Sequence, residues 1–390
     1  MRQKRNYLTK IFYILVPLII TIIVFNSIPT PALEITGIDF IGSAVLPKNL
    51  SFQNTIVGGL SGITYDAKND LYYAISDDRS QKSPARFYTL KINLTQGKLQ
   101  NKDVSIVGVT TLLNEQNKTF SPGTIDTEGI ALTDKSTVYI SSEGDVASQV
   151  NPFIKEFALA TGKEIRNLPI PEKFLPDQDG KKGVRNNLVF ESLTVTPDNR
   201  TLFTATENAL VQDGAEAKPG TSSPSRVLQY NLLTNQPEKE FLYPTEAVKP
   251  LINLQNRYTT GIPDLLALDN QGHFLSIERA FTGLGFYIAL FQVDFSNATD
   301  ISSIESLLTT DRKDIKPVQK KLLLDLRTLD VLLDNTEGLT LGAKLPDGGR
   351  SLILVSDNNF NNLQRTQILA FKLKTENPLI RLLRRLSPQR

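Results

Sequence analysis

GGLSGITYDAKNDLYYAISDD, residues 58–78, is the stretch that decides the fold. A short apolar run begins at Ile63, and a polar turn follows at Lys68-Asn69-Asp70. Leu71-Tyr72-Tyr73-Ala74-Ile75 then alternates towards an acidic end at Asp77-Asp78. Alternation hinged on such a turn is the signature of a β-hairpin. The same grammar returns in DTEGIALTDKSTVYISSEGD (126–145), VFESLTVTPDNRTLFTATEN (189–208), GIPDLLALDNQGHFLSIERA (261–280) and NTEGLTLGAKLPDGGRSLILVSDN (335–358). In each, a small or acidic residue precedes an apolar strand, a turn follows, and a second strand ends on an acid.

A third strand trails each hairpin, at Phe87–Leu94, Phe153–Leu159, Val227–Leu232, Ile288–Phe295 and Gln367–Leu373. The anchor positions Gly62, Glu128, Glu191, Asp264 and Glu337 are spaced by 66, 63, 73 and 73 residues. Strand-rich units of that size, with almost no helical periodicity, suit the blades of a β-propeller. The expectation is an all-β chain with a single propeller over residues 35–375. Five repeat units are counted, and six blades fit if a degenerate one hides in 96–125, 165–188 or 236–260. The strand near Ile35–Leu46 is expected to pair with the last blade and close the ring.

The 390 residues include no Cys, no Trp and a single His. Without Cys there are no disulfides, thiolate nucleophiles or iron–sulfur clusters. One His rules out multi-histidine metal sites. There is no G-x-S-x-G elbow and His273 sits in a turn, so a Ser-His-Asp triad is not expected. Chemistry falls to carboxylates, Arg, Lys, Tyr and hydroxyls, or to an oxygen-liganded metal.

The two ends differ from the rest. Residues 1–10, MRQKRNYLTK, carry four cations and no acid, and Ile11–Ile28 carries no charge. That pattern reads as a hydrophobic helix over 1–32, either a signal peptide or a membrane anchor. It places the bulk of the chain outside the cytoplasmic membrane, periplasmic or secreted. Residues 376–390 form a basic tail with four Arg from Leu379 onward. Setting aside four cations at each end, 35 Lys and Arg face 41 Asp and Glu. An acidic body argues against nucleic acid as a partner, and a monomer is expected.

The acids recur in phase. Glu128, Glu191, Asp264 and Glu337 stand before the first strand of their hairpins, where the first unit has Ser61. Asp77 with Asp78, Glu143, Glu207, Glu278 and Asp357 end the second strands. A hairpin brings these two ends together, and a propeller presents that edge of every blade to one mouth of its channel. Crowded carboxylates raise one another's pKa, and a hard divalent cation relieves the repulsion. Oxygen ligands alone favour Ca2+, with Mg2+ or Mn2+ as alternatives. Glu128, Glu191 and Glu337 are assigned catalytic roles on this basis. Asp77, Asp78, Glu143, Glu207, Asp264, Glu278 and Asp357 are assigned as metal ligands. Arg79 and Arg279 follow the acids and are expected to offer forks to an anionic substrate or to neutralise a neighbouring acid.

Gly59-Leu60-Ser61-Gly62-Ile63, Ser76-Asp77-Asp78-Arg79, Asp126-Thr127-Glu128-Gly129-Ile130, Ser142-Glu143-Gly144, Phe190-Glu191-Ser192-Leu193, Thr206-Glu207-Asn208 and Asn335-Thr336-Glu337-Gly338-Leu339 together resemble the "esterase-like activity of phytase" family. The resemblance runs over roughly 55–375. It implies an exported phytase-like propeller that hydrolyses phosphate esters with metal-holding carboxylates. Ser61, and Asp264 followed by Leu265, depart from the pattern. The leading expectation is a metal-dependent hydrolase of phosphate or other esters acting on a small anionic substrate. A calcium-binding scaffold without catalysis and a lactonase-like hydrolase are the alternatives.

Overall fold

The computed structural model describes residues 34–177, 179–248, 258–283 and 285–376. The hydrophobic helix expected over 1–32 and the basic tail from 377 onward lie outside them. Among the described residues no helix is long and apolar enough to cross a membrane.

Five four-stranded antiparallel sheets follow one another along the chain. Blade 1 runs Leu60–Asp66, Leu71–Ser76, Arg86–Ile92, Val104–Thr111, and blade 2 runs Thr127–Leu132, Thr137–Ser142, Phe153–Ala158, Glu164–Leu168. Blade 3 runs Thr194–Val195, Thr201–Ala205, Pro224–Asn231, Gln236–Pro244. Blade 4 runs Thr259–Ala267, His273–Phe281, Phe286–Asp294, Gln319–Asp325. Blade 5 takes Asn335–Lys344, Arg350–Asp357 and Gln367–Thr375 from the C-terminal part. Its outermost strand is Ile35–Val45, paired antiparallel to Gln367–Thr375. The two ends of the propeller thus zip together in one sheet, as expected. The segments held open for a sixth blade instead contain outer strands of blades 1, 2 and 3.

The first strand of each blade touches the first strands of its two neighbours, so five of them ring the axis. The core is correspondingly cut into wedges between blades. Tyr72, Tyr88 and Ile353 pack blade 1 on blade 5, and Phe87, Val138 and Phe157 pack blade 1 on blade 2. Phe203, Phe274 and Phe291 fill the wedge between blades 3 and 4. Apolar burial of this kind contributes ~1.5–3 kcal/mol per large side chain, and it fixes each blade's angle to the next.

One irregularity repeats. The register between first and second strands slips after Leu60, Thr127, Gly261 and Thr336. Blade 3 shows the same between Phe190↔Thr206 and Thr194↔Phe203. Such bulges re-aim a side chain. The residue after the bulged Glu must be small, because the neighbouring blade's backbone lies against it. A Cβ on Gly129 would sit 2.9 Å from Glu191 O, and one on Gly338 would sit 2.8 Å from Ser61 O.

Candidate functional site

The bulge decides which side chain enters the channel. It places Glu128, Glu191 and Glu337 at one position of blades 2, 3 and 5, with Ser61 in blade 1 and Ile262 in blade 4. Just across the hairpin, Asp77 N bonds Gly59 O, Glu143 N bonds Asp126 O and Glu207 N bonds Val189 O. Asp357 lies opposite Asn335, and Ala280 lies opposite Thr260. Blades 2, 3 and 5 therefore offer acids at two levels, blade 1 at one, and blade 4 at neither.

Five of these acids meet where a funnel of about 1320 Å3 opens, while Glu143 and Asp357 are buried and do not line it. Asp77, Glu128, Glu191, Glu207 and Glu337 line it. Asp126 belongs with them. One oxygen each from Asp77, Asp126 and Glu128 lies within 4.8 Å of the others. Asp126 is 2% exposed. Neither of its oxygens accepts a hydrogen bond of ordinary geometry, although Arg79 Nη2 lies 2.5 Å from Oδ2. Asp126 was not singled out from the sequence, although Asp126-Thr127-Glu128-Gly129 parallels Asn335-Thr336-Glu337-Gly338.

Burial, then mutual repulsion, sets the electrostatics. Burial and the charges of neighbouring acids hold the carboxyls of Asp77, Glu128 and Glu191 well above the usual range. Glu143, which accepts a 2.6 Å bond from Val189 N, is pushed up to about 8 by burial and by Asp126. Burial also raises Glu337 to about 8, against the pull of Arg279, and Asp357 to about 6. Asp126 and Glu207 are raised by burial as well.

Arg279 comes from blade 4, the blade without channel acids. Its Nη2 donates to Glu207 Oε1 at 2.7 Å, and its Nη1 donates to Asn335 Oδ1 at 2.6 Å and to Glu337. Burial opposes its charge, but Glu337, Glu207 and Glu191 outweigh that, and it stays cationic. Its terminal nitrogens are thus spent on neighbouring acids, so the expected fork for a substrate anion is not free. Arg79 differs. It bonds Asn187 Oδ1 at 2.7 Å and pairs with Asp126, yet its side chain is 35% exposed at the funnel wall.

Three of the expected ligands are engaged by other partners, although Asp78 also borders the funnel. Asp78 is committed to Arg86 and to the backbone of Lys82 and Ser83. Asp264 accepts Leu339 N at 2.8 Å and Leu265 N at 2.9 Å, a staple between blades 4 and 5. Glu278 accepts from Tyr243 Oη at 2.9 Å, Glu246 N at 2.6 Å and Lys320 Nζ at 2.5 Å. The reason is register. Arg279 faces Gly261 as Ser76 faces Leu60, Ser142 faces Thr127 and Ser356 faces Thr336. Asp77, Glu143 and Asp357 stand one residue beyond that position, where blade 4 has Ala280, so Glu278 falls two residues short of the level of the channel acids. His273 pairs with Asp269 at 2.7 Å in its turn.

No curated protein matches the chain in sequence. Among solved structures it is similar to an endo-arabinase from Bacteroides thetaiotaomicron VPI-5482, at 10% identity and TM-score 0.41, covering 80% of this chain and 93% of that one. It is also similar to the GH43 protein BlXynB from Bacillus licheniformis, at 10% identity and TM-score 0.41, covering 84% and 54%. The sequence itself says more: over residues 55–360 it matches the Phytase-like model described as esterase-like activity of phytase, and the chain belongs to that family.

Proposed function

We propose that the chain is an extracytoplasmic, metal-assisted hydrolase of phosphate esters whose working site is the acidic mouth of the propeller. One observation carries this reading. Asp77, Asp126 and Glu128 bring carboxyl oxygens within 4.8 Å of one another, and Asp126 Oδ1 is buried with no hydrogen-bond partner. Three hard oxygen donors in a buried acidic site suit Ca2+ first, with Mg2+ or Mn2+ as alternatives. When bound, such an ion supplies positive charge that draws phosphate oxygens and makes a nearby water more acidic.

The chain's own groups do the rest. Glu191 lines the same funnel; burial and its acid neighbours raise its carboxyl, and beside the charge of a bound cation it would give up its proton and become a base for the attacking water. Arg279 pins Glu207 and Glu337 and keeps them from swinging into the substrate's place. Arg79 stands at the wall beside Asp126 with room to meet an ester's anionic oxygens. Lys48, Lys82 and Arg365 add positive charge around the opening, which favours the approach of an anion.

The test is a panel of phosphomonoesters, phosphodiesters and carboxyl esters, run with Ca2+ and with chelator. Calcium-dependent release is expected, and Glu191→Gln should cut it by about 100-fold or more while the melting temperature holds. No turnover anywhere on the panel refutes the proposal, and a scaffold role then becomes the better account.

A further inference from the structure

The funnel has two unlike walls. Arg79, Gln81 and Asn187 make its side over blades 1 to 3 polar. Over blades 4 and 5 the lining sets Phe281, Phe286, Leu332, Leu333, Phe360 and Leu363 among polar neighbours that include Asn361, Gln364 and Arg365. Leu332 is 74% exposed and Leu363 is 91% exposed. Single exposed leucines are ordinary on any protein surface. Six apolar side chains gathered on one wall of a cavity with an acidic floor are not.

This wall is held in place. The rings of Phe281 and Phe286 pack 5.0 Å apart. The carbonyl of Leu332 accepts Arg365 Nη2 and Gln367 Nε2, each at 3.1 Å, which ties the loop before blade 5's first strand to the end of the loop after its second and the start of the strand that follows. Phe360 has φ of 47°, a left-handed backbone that a bulky side chain adopts only at a cost. Its ring lies so close to Gly59 that a Cβ there would stand 2.7 Å from it. Strain of this kind persists where the surrounding structure enforces it, and here it turns an aromatic ring to the funnel.

We propose that the substrate is amphiphilic: a phosphate ester whose anionic head sits over the acid floor while an alkyl or acyl chain lies along the Phe281–Leu332–Leu363 wall. The head's position rests on the metal-assisted reading above, and the chain's position rests on the wall alone. A fully hydrophilic polyphosphate would satisfy the floor and leave the wall facing water. Half-burying each methylene on such a wall strengthens binding by about twofold per group.

The experiment is calorimetric binding of methyl, butyl and octyl phosphate to the full chain with Ca2+, each below its micellar concentration, with turnover read separately. Octyl phosphate is expected to bind at least about tenfold more tightly than methyl phosphate. Leu332→Ser/Leu363→Ser, which changes two exposed positions, should lower that octyl-to-methyl ratio by about threefold or more. A ratio near one in the unaltered protein, or a ratio the double variant does not change, overturns the inference. If octyl phosphate binds tightly but no ester is cleaved, the hydrolase reading falls and the amphiphile site stands. If short and long esters are cleaved and bound equally, the hydrolase stands and the amphiphile site falls.

Discussion

Raising the pH from 5 to 8 in the presence of a chelator should destabilise this propeller, against the usual expectation for a protein rich in carboxylates. The cause is the buried acid ring. Burial lifts Glu143 and Glu337 from the ordinary 4.5 to about 8, and it lifts Asp357 from 3.8 to about 6. These carboxyls hold protons in the folded chain that they release in the unfolded one. Between pH 4.5 and 8 the native state therefore carries more protons, and each step up in pH favours unfolding. At about 1.4 kcal/mol per pH unit, either Glu alone removes on the order of 4 kcal/mol between pH 5 and 8. Glu207 repels both of them, so their effects overlap rather than simply add. For a domain of this length, a loss of about 4 kcal/mol lowers Tm by about 5–6 °C. With no Trp in the chain, far-ultraviolet circular dichroism is the natural probe. Adding Ca2+ at about 100 times its Kd should restore about 2.7 kcal/mol at pH 8. A Tm that stays flat or rises from pH 5 to 8 in chelator would refute the reasoning, because the ring would then be neither crowded nor protonated.

Two substitutions separate the charges that make the site from those that hold the blades. Arg279→Gln leaves Glu207 and Glu337 without their buried cation. It should cost about 3–5 kcal/mol at pH 8 and clearly less at pH 5, where protons replace the guanidinium; urea unfolding at the two pH values checks this. Asp264→Ala deprives buried backbone N–H groups of their acceptor. It should cost about 3 kcal/mol while calorimetric Ca2+ affinity stays unchanged; weakened Ca2+ binding would return Asp264 to the ligand set.

The repeat was legible because hairpins advertise themselves. A short apolar strand, a turn and a second apolar strand recur at each unit, since both strands lie between neighbouring blades and must be apolar on both faces. The fourth strands were harder to see for the opposite physical reason. Glu164–Leu168 is exposed over its middle three residues and buried only at Leu168, and Gln236–Pro244 is buried only in its second half. Outer strands need little apolar surface, so their sequences resemble loops. This is why stretches that are ordinary outer strands left room for a sixth blade.

The site was legible in blades 2, 3 and 5, where a Glu follows the same pairing step and a small residue must follow the Glu. Blade 4 breaks the pattern in a way that sequence alignment by acids hides. Matching Glu278 to Glu143 puts acid on acid, but hydrogen-bond register matches Arg279 to Ser142 instead. In that register Ala280 takes the place of Glu143, Glu278 lies two residues earlier against Lys320 and Tyr243 between blades, and Arg279 reaches Glu207. Blade 4 thus contributes a positive charge from the position where blades 1, 2 and 5 carry Ser, and no acid at the level beyond it. The ring is accordingly asymmetric. Over blades 3 to 5 its acids are answered by a guanidinium built into the chain. Beside blades 1 and 2, Asp77, Asp126 and Glu128 have only the half-open Arg79, and that is where a cation from solution has most to neutralise.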